Sequence, residues 1–186
     1  MPIKFHIEAK ELFDDRLNEF RQVKAQDVTL EHSLISISKW ESKWHKPFLD
    51  SSIKTRSLDE SYDYIRMMSL DPNVNPDFVY AMTTKQMKEL EIYITDPMTA
   101  TTIKYYKNEK RPNRELVTSE LIYFWMTAYQ IPFTCEKWHI NRLMKLIELC
   151  AVKNDPEATK GMAKNDILRS NYNTIMSNRA KMGLKK

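Results

Sequence analysis

The residue pattern predicts a mainly α protein, a compact helical domain of about five to six helices with a small N-terminal β hairpin or ribbon. Three observations predict it. The 186-residue chain holds two glycines, Gly161 and Gly183, where average usage would give about 13, so the usual glycine-built hairpin turns are scarce. From Ser33 onward, apolar residues recur at helical spacing behind capping residues. Ahead of residue 30, Ile3, Phe5 and Ile7 alternate with Lys4, His6 and Glu8, the period of a half-buried strand.

Taken in order, residues 1–30 form the β ribbon or arm. Phe20 to Lys24 and Val28 to Leu30 make the second extended stretch, with Asp14-Asp15 as a turn, although the polar segment between the two runs also suits a helix. Residues 31–152 are the helical core domain. Ser33 caps a helix from Leu34 to His45 with Ile37, Trp40 and Trp44 on one face, and Pro47 stops it. Ser57-Leu58-Asp59-Glu60 is a capping box opening a helix whose buried stripe is Leu58, Tyr62, Ile65 and Met68. Thr83 to Gln86 repeats the box for a third helix, with Met87, Leu90 and Ile94 inside and Asp96-Pro97 ending it. Residues 98–114 read as a connecting loop with room for a short strand or helical turn. Thr118 caps Ser119 to Tyr129, apolar all round and so expected to be buried on most sides. Thr134 then caps one helix from Cys135 through Val152. These last two are expected to be the core pair, an antiparallel hairpin with Trp125 and Trp138 in the core. Residues 153–186 are a basic C-terminal helix and tail, with an amphipathic helix from Asp166 to Met182.

Charge is uneven. From Lys153 to Lys186, six lysines and two arginines stand against Asp155, Glu157 and Asp166, a net +5 in a chain of total +4, so the first 152 residues sum to −1. Such a tail suits an acidic partner or nucleic acid, or simply a solvated helix face. No apolar run approaches the roughly 18 residues of a membrane span, and the N-terminus lacks a signal-peptide core. The expectation is a soluble cytoplasmic protein with Cys135 and Cys150 as reduced thiols, both on one helix and about 22 Å apart.

Catalytic and cofactor chemistry finds little support. With no glycine before position 161, a P-loop or dinucleotide cradle is excluded over most of the chain. Cys135 and His139 sit at a spacing that zinc could bridge, but two further ligands are missing. There is no glycine-flanked serine elbow, and the acid pairs Asp14-Asp15 and Asp59-Glu60 suit a turn and a helix N-terminus. No enzyme activity, metal or cofactor is expected. Four Trp, nine Tyr, seven Phe and 11 Met point to packing and binding. Trp40, Lys43, Trp44 and Lys46 would suit base stacking but at helical spacing suit a core better. Met67, Met68, Met126, Met144 and Met176 suit an adaptable surface or core filler.

The run Leu30-Glu31-His32-Ser33-Leu34-Ile35-Ser36-Ile37-Ser38-Lys39-Trp40-Glu41-Ser42-Lys43-Trp44-His45-Lys46-Pro47-Phe48-Leu49 resembles proteins from the structural gene cassette of tailed bacteriophages. Asp63-Tyr64-Ile65-Arg66, Pro97 to Thr102, Thr118 to Tyr123, Ile131-Pro132-Phe133 and Lys137 to Leu143 extend the likeness over about residues 28 to 150. The resemblance is to a tail assembly chaperone family. It implies a non-enzymatic protein of virion morphogenesis in the host cytoplasm, which binds the tape measure protein and by extension the major tail protein, as a homo-oligomer or an array along its client. No membrane is implied, nucleic acid is the less favoured partner, and no catalytic residues come with the likeness. The candidate partner-binding or structural residues are Trp40, Lys43, Trp44, His45, Trp138 and Arg142. The competing readings are a head-to-tail connector or neck protein retained in the virion, and a nucleic-acid-binding module using the basic tail.

Overall fold

The computed structural model describes residues 1–14, 18–50, 56–103 and 116–154. The basic tail beyond Asn154 and the helix expected over 166–182 lie outside them. The described residues form an α+β fold and not the mainly α one that glycine scarcity suggests. Four strands, β1 (Ile3–Ile7), β2 (Lys10–Asp14), β3 (Glu19–Val23) and β4 (Gln26–Leu30), pair antiparallel as β1 with β4 and β2 with β3. The ribbon is thus one long hairpin interrupted at residues 8–9 and 24–25. Its return goes through Asn18 at φ 54, a conformation asparagine tolerates better than most residues. Glycine is not essential to such a ribbon, so its scarcity was a poor guide to strand content.

Helices α1 (Leu34–Trp44), α2 (Leu58–Met67), α3 (Phe78–Ala81), α4 (Thr84–Thr95), α5 (Ser119–Ala128) and α6 (Ile140–Asn154) follow, with a 3-10 helix at Phe133–Lys137. Ser33, Thr83 and Thr118 each accept a first-turn amide, and both capping boxes close, Ser57 with Glu60 and Thr83 with Gln86. Without glycine for the left-handed residue that commonly ends a helix, the chain places His45 there after α1 and Gln130 after α5, at φ 52 and 55, while Met98 takes φ 49 in the segment beyond α4.

Three packing expectations change. Leu58 is 71 % exposed, and Tyr64 turns inward on α2 instead. Helix α5 is buried along one face only: Ile122 and Met126 are enclosed, while Phe124 is 64 % exposed. The hub is α1, which packs against α2, α5 and the 3-10 helix, so α5 and α6 are not the central pair. Trp125 and Trp138 are half-buried against the core, and the fully enclosed tryptophan is Trp40. Met68 and Met126 are core filler.

The ribbon's Phe5, Ile7, Val23, Val28 and Leu30 belong to the same hydrophobic cluster as the helices. Beyond α2 the chain runs back along β4, with Glu31 N–H donating to the Met68 carbonyl at 2.9 Å and Leu70 N–H to that of Thr29 at 2.9 Å. Among the described residues no helix is long and apolar enough to cross a membrane.

Glu41 shows how the core closes. Its buried carboxylate accepts from Phe48 N–H and from Ser119 N–H, each at 2.7 Å, so one side chain ties the end of α1 to the start of α5 across 78 residues. Glu41→Ala is expected to leave two buried amides without acceptors, at about 2 to 5 kcal/mol in all. Urea unfolding measures the loss, and a cost under about 1 kcal/mol would show that other acceptors replace the carboxylate.

Candidate functional site

The candidate residues separate into an interior part and a surface part. The interior part is a row of rings: Trp44 to Trp40 at 6.4 Å between centroids, Trp40 to Phe48 at 5.2 Å, Phe48 to Tyr64 at 4.1 Å, Tyr64 to His32 at 5.7 Å, His32 to His139 at 4.9 Å and His139 to Tyr93 at 5.0 Å. Polar contacts hold it. The Tyr64 hydroxyl bonds His32 Nδ1, and Tyr93 donates to Glu31 Oε1 at 2.5 Å. His139 Nε2 bonds the Tyr93 carbonyl at 3.1 Å, while its Nδ1 accepts from Asn141 N–H at 3.3 Å. With one ring nitrogen donating and the other accepting, His139 is a neutral imidazole.

Burial sets the titration of this cluster. Desolvation first, then the neighbouring His139 and Arg56, pushes His32 down to about 3. His139 is lowered by desolvation, against the pull of the Tyr93 carbonyl and Glu31. Tyr64 and Tyr93 are both raised, chiefly by burial. Apart from half-buried Trp44, these rings are enclosed, and the polar atoms of Trp40, Tyr64, His32, His139 and Tyr93 serve the fold, so the row is a structural spine. Trp40 is part of it, and its indole N–H donates to the Glu60 carbonyl at 2.9 Å. The stacking surface considered for Trp40, Lys43, Trp44 and Lys46 is therefore not formed: Trp40 is enclosed, Lys43 bonds Asp63, and Lys46 bonds Glu60. Trp44 is half-buried, and His45 closes α1 through its N–H to the Glu41 carbonyl at 2.8 Å.

Trp138 and Arg142 lie elsewhere, on the surface part. The chain from Cys135 to Val152 is not one helix. A 3-10 helix stops at Lys137, Trp138 is extended (φ −74, ψ 158), and His139 forms a β-bridge to Ser33 before α6 begins with Ile140 N–H donating to the His32 carbonyl at 2.8 Å. In that extended pair successive side chains face opposite ways, so His139 enters the spine and Trp138 remains at the surface. The break also puts buried Cys135 and half-buried Cys150 on different elements, both as free thiols. Among the described residues no cluster of three or more metal-ligating side chains is present.

Beside Trp138 opens a groove of about 440 Å³, walled by Met98 to Thr101 on one side and by Trp138, Arg142, Lys145, Leu146 and Leu149 on the other. Its construction is local. Asn141 Nδ2 donates to the carbonyls of Ile94 at 3.0 Å and Asp96 at 2.7 Å, satisfying the end of α4 and pinning the segment that follows. Met98, at φ 49 and held by the Asp96 carboxylate at 2.6 Å, then turns the chain alongside α6. The Arg142 guanidinium lies over the Trp138 ring, 4.0 Å from its centroid, and Lys145 pairs with Glu148 at 2.6 Å. Sequence reasoning placed 98–114 as a loop and so missed Met98 to Thr101 as a wall. No local signal marks it, because the groove depends on Asn141 reaching α4 across more than 40 residues. Comparison with protein-family models, with curated proteins and with solved structures finds no match to this chain.

Proposed function

We propose that this protein is a non-enzymatic tail assembly chaperone of a tailed bacteriophage. It holds the tape measure protein in the host cytoplasm before the tail tube polymerises, assembling as a homo-oligomer or array along that client, with the major tail protein as a further candidate partner. The reading rests on the phage-like runs, and one observation supports it beyond them. Met98 to Thr101, Trp138 and Arg142 fall within two of those runs and line an open apolar and cationic trough that Lys145, Leu146 and Leu149, outside the runs, complete. A chaperone for a long helical client needs such a surface.

Co-expression with the tape measure protein of the same phage is expected to give a soluble complex, with the chaperone absent from purified virions. Its presence there in ring-like copy number would identify a connector instead. A client contact made by apolar burial should persist from low to moderate salt. Tight DNA binding that weakens steeply with salt, with no phage protein partner, would sink the chaperone reading.

A further inference from the structure

We propose that the groove between Met98–Thr101 and α6 is a docking site for an amphipathic helix that brings an apolar stripe to the floor and carboxylates to Arg142. That the helix belongs to the tape measure protein rests on the chaperone reading; the chemistry of the site does not.

Met98, Ala100, Leu146 and Leu149 supply the apolar part of the lining, with Trp138 beside them. Arg142 is exposed and stacked on Trp138 at 4.0 Å. Stacking holds the planar guanidinium in place and leaves its N–H edge free for bidentate contact with a carboxylate. Among the described residues no acidic side chain pairs with it, whereas Lys145 is already paired with Glu148. The neighbouring sequence carries the wrong sign to complement it. Residues 104–115 hold Lys104, Lys107, Lys110, Arg111 and Arg114 against Glu109 and Glu115, and residues 155–186 carry five lysines and two arginines against three acids. A groove whose unpaired charge is the Arg142 guanidinium calls for an acidic occupant, which the adjoining cationic sequence does not supply.

A nucleic acid strand would bring negative charge too, but the site suits it less. One face of Trp138 is already covered by the guanidinium, which removes a stacking platform for a base.

The test uses the full chain and synthetic amphipathic helices of about 20 residues, long enough to be helical in water. They share one leucine and methionine stripe and differ in carrying glutamates or lysines beside it. Wild-type protein is expected to bind the glutamate helix at least about tenfold more tightly than the lysine helix. Arg142→Glu should reverse that order, and Ala100→Trp, which fills the groove, should abolish both. Each position is exposed, so unchanged circular dichroism and melting are expected, and if one variant fails to fold the other still decides the matter.

The same three proteins are then used to retain the tape measure protein from co-expressing cells. Retention by wild type alone supports the site. Equal retention by all three overturns the groove and leaves the chaperone reading standing. Charge-reversed peptide binding with no tape measure retention supports the docking site and ends the chaperone reading. The proposal is overturned if neither helix binds wild type, the result of a groove closed by the chain's own basic segments. It is likewise overturned if single-stranded DNA binds more tightly than either helix and is lost in Arg142→Glu.

Discussion

Replacing Trp40 by alanine is expected to cost about 3 to 5 kcal/mol, as for the largest core truncations. The indole is 1 % exposed and stands at the centre of the ring row, edge-on to Phe48 at 5.2 Å and beside Trp44 at 6.4 Å. Its N–H satisfies the Glu60 carbonyl, and the Arg56 guanidinium lies 5.6 Å from its centroid. Truncation opens a cavity at the junction of α1 and α2, removes one buried hydrogen bond and weakens the contacts that align Phe48 with Tyr64. In a chain of this size the melting temperature should fall by about 10 °C or more. Trp138→Ala, at a half-buried surface position, should cost distinctly less. Equal losses in the two variants would show that Trp40 is not the centre of the core.

Acid is expected to destabilise the fold well before carboxylates titrate. His32 is held neutral by burial, pushed from 6.5 down to about 3, and His139 is lowered as well. The sign follows from proton counting. Below about pH 6.5 the unfolded chain takes up protons on these imidazoles while the folded chain does not, so stability is lost progressively from pH 6.5 towards pH 3. Between pH 7.5 and pH 5, His32 alone should remove about 2 kcal/mol, with His139 adding in the same direction. The groups around them offer little relief: Tyr64 and Tyr93 are neutral, Arg56 repels a charged His32, and Glu31 is engaged by Tyr93. Chemical unfolding at both pH values, with His32→Gln alongside, measures the effect. The wild-type decline should be steeper than the variant's. Equal stability at pH 7.5 and pH 5 in the wild type would show that the histidines are not held neutral.

Local chemistry was legible in the sequence wherever it acts over a few residues. Ser33, Ser57, Thr83 and Thr118 start helices because a hydroxyl can reach an amide three residues on without help from the rest of the chain. The strand alternation at Ile3, Phe5 and Ile7 likewise reports one buried face. The sequence also showed that Trp40 suits a core better than a stacking face, because an indole at helical spacing among apolar neighbours has somewhere to be buried.

Tertiary structure decided what depends on distant partners. Helical periodicity alone could not reveal the break at Trp138 and His139, because the energy that opens it comes from the bridge to Ser33 and the bond to the His32 carbonyl, about 100 residues earlier. That break sends His139 into the spine and keeps Trp138 at the surface with Arg142, which separates candidate residues that looked alike in the sequence. The wall at Met98 to Thr101 is equally non-local, since a β-branched and polar segment takes its path from the Asn141 side chain that holds the end of α4. The α+β character has the same origin. Four five-residue strands in a ribbon contribute little to composition, yet their Phe5, Ile7, Val28 and Leu30 are buried only because the helices provide a surface to close on.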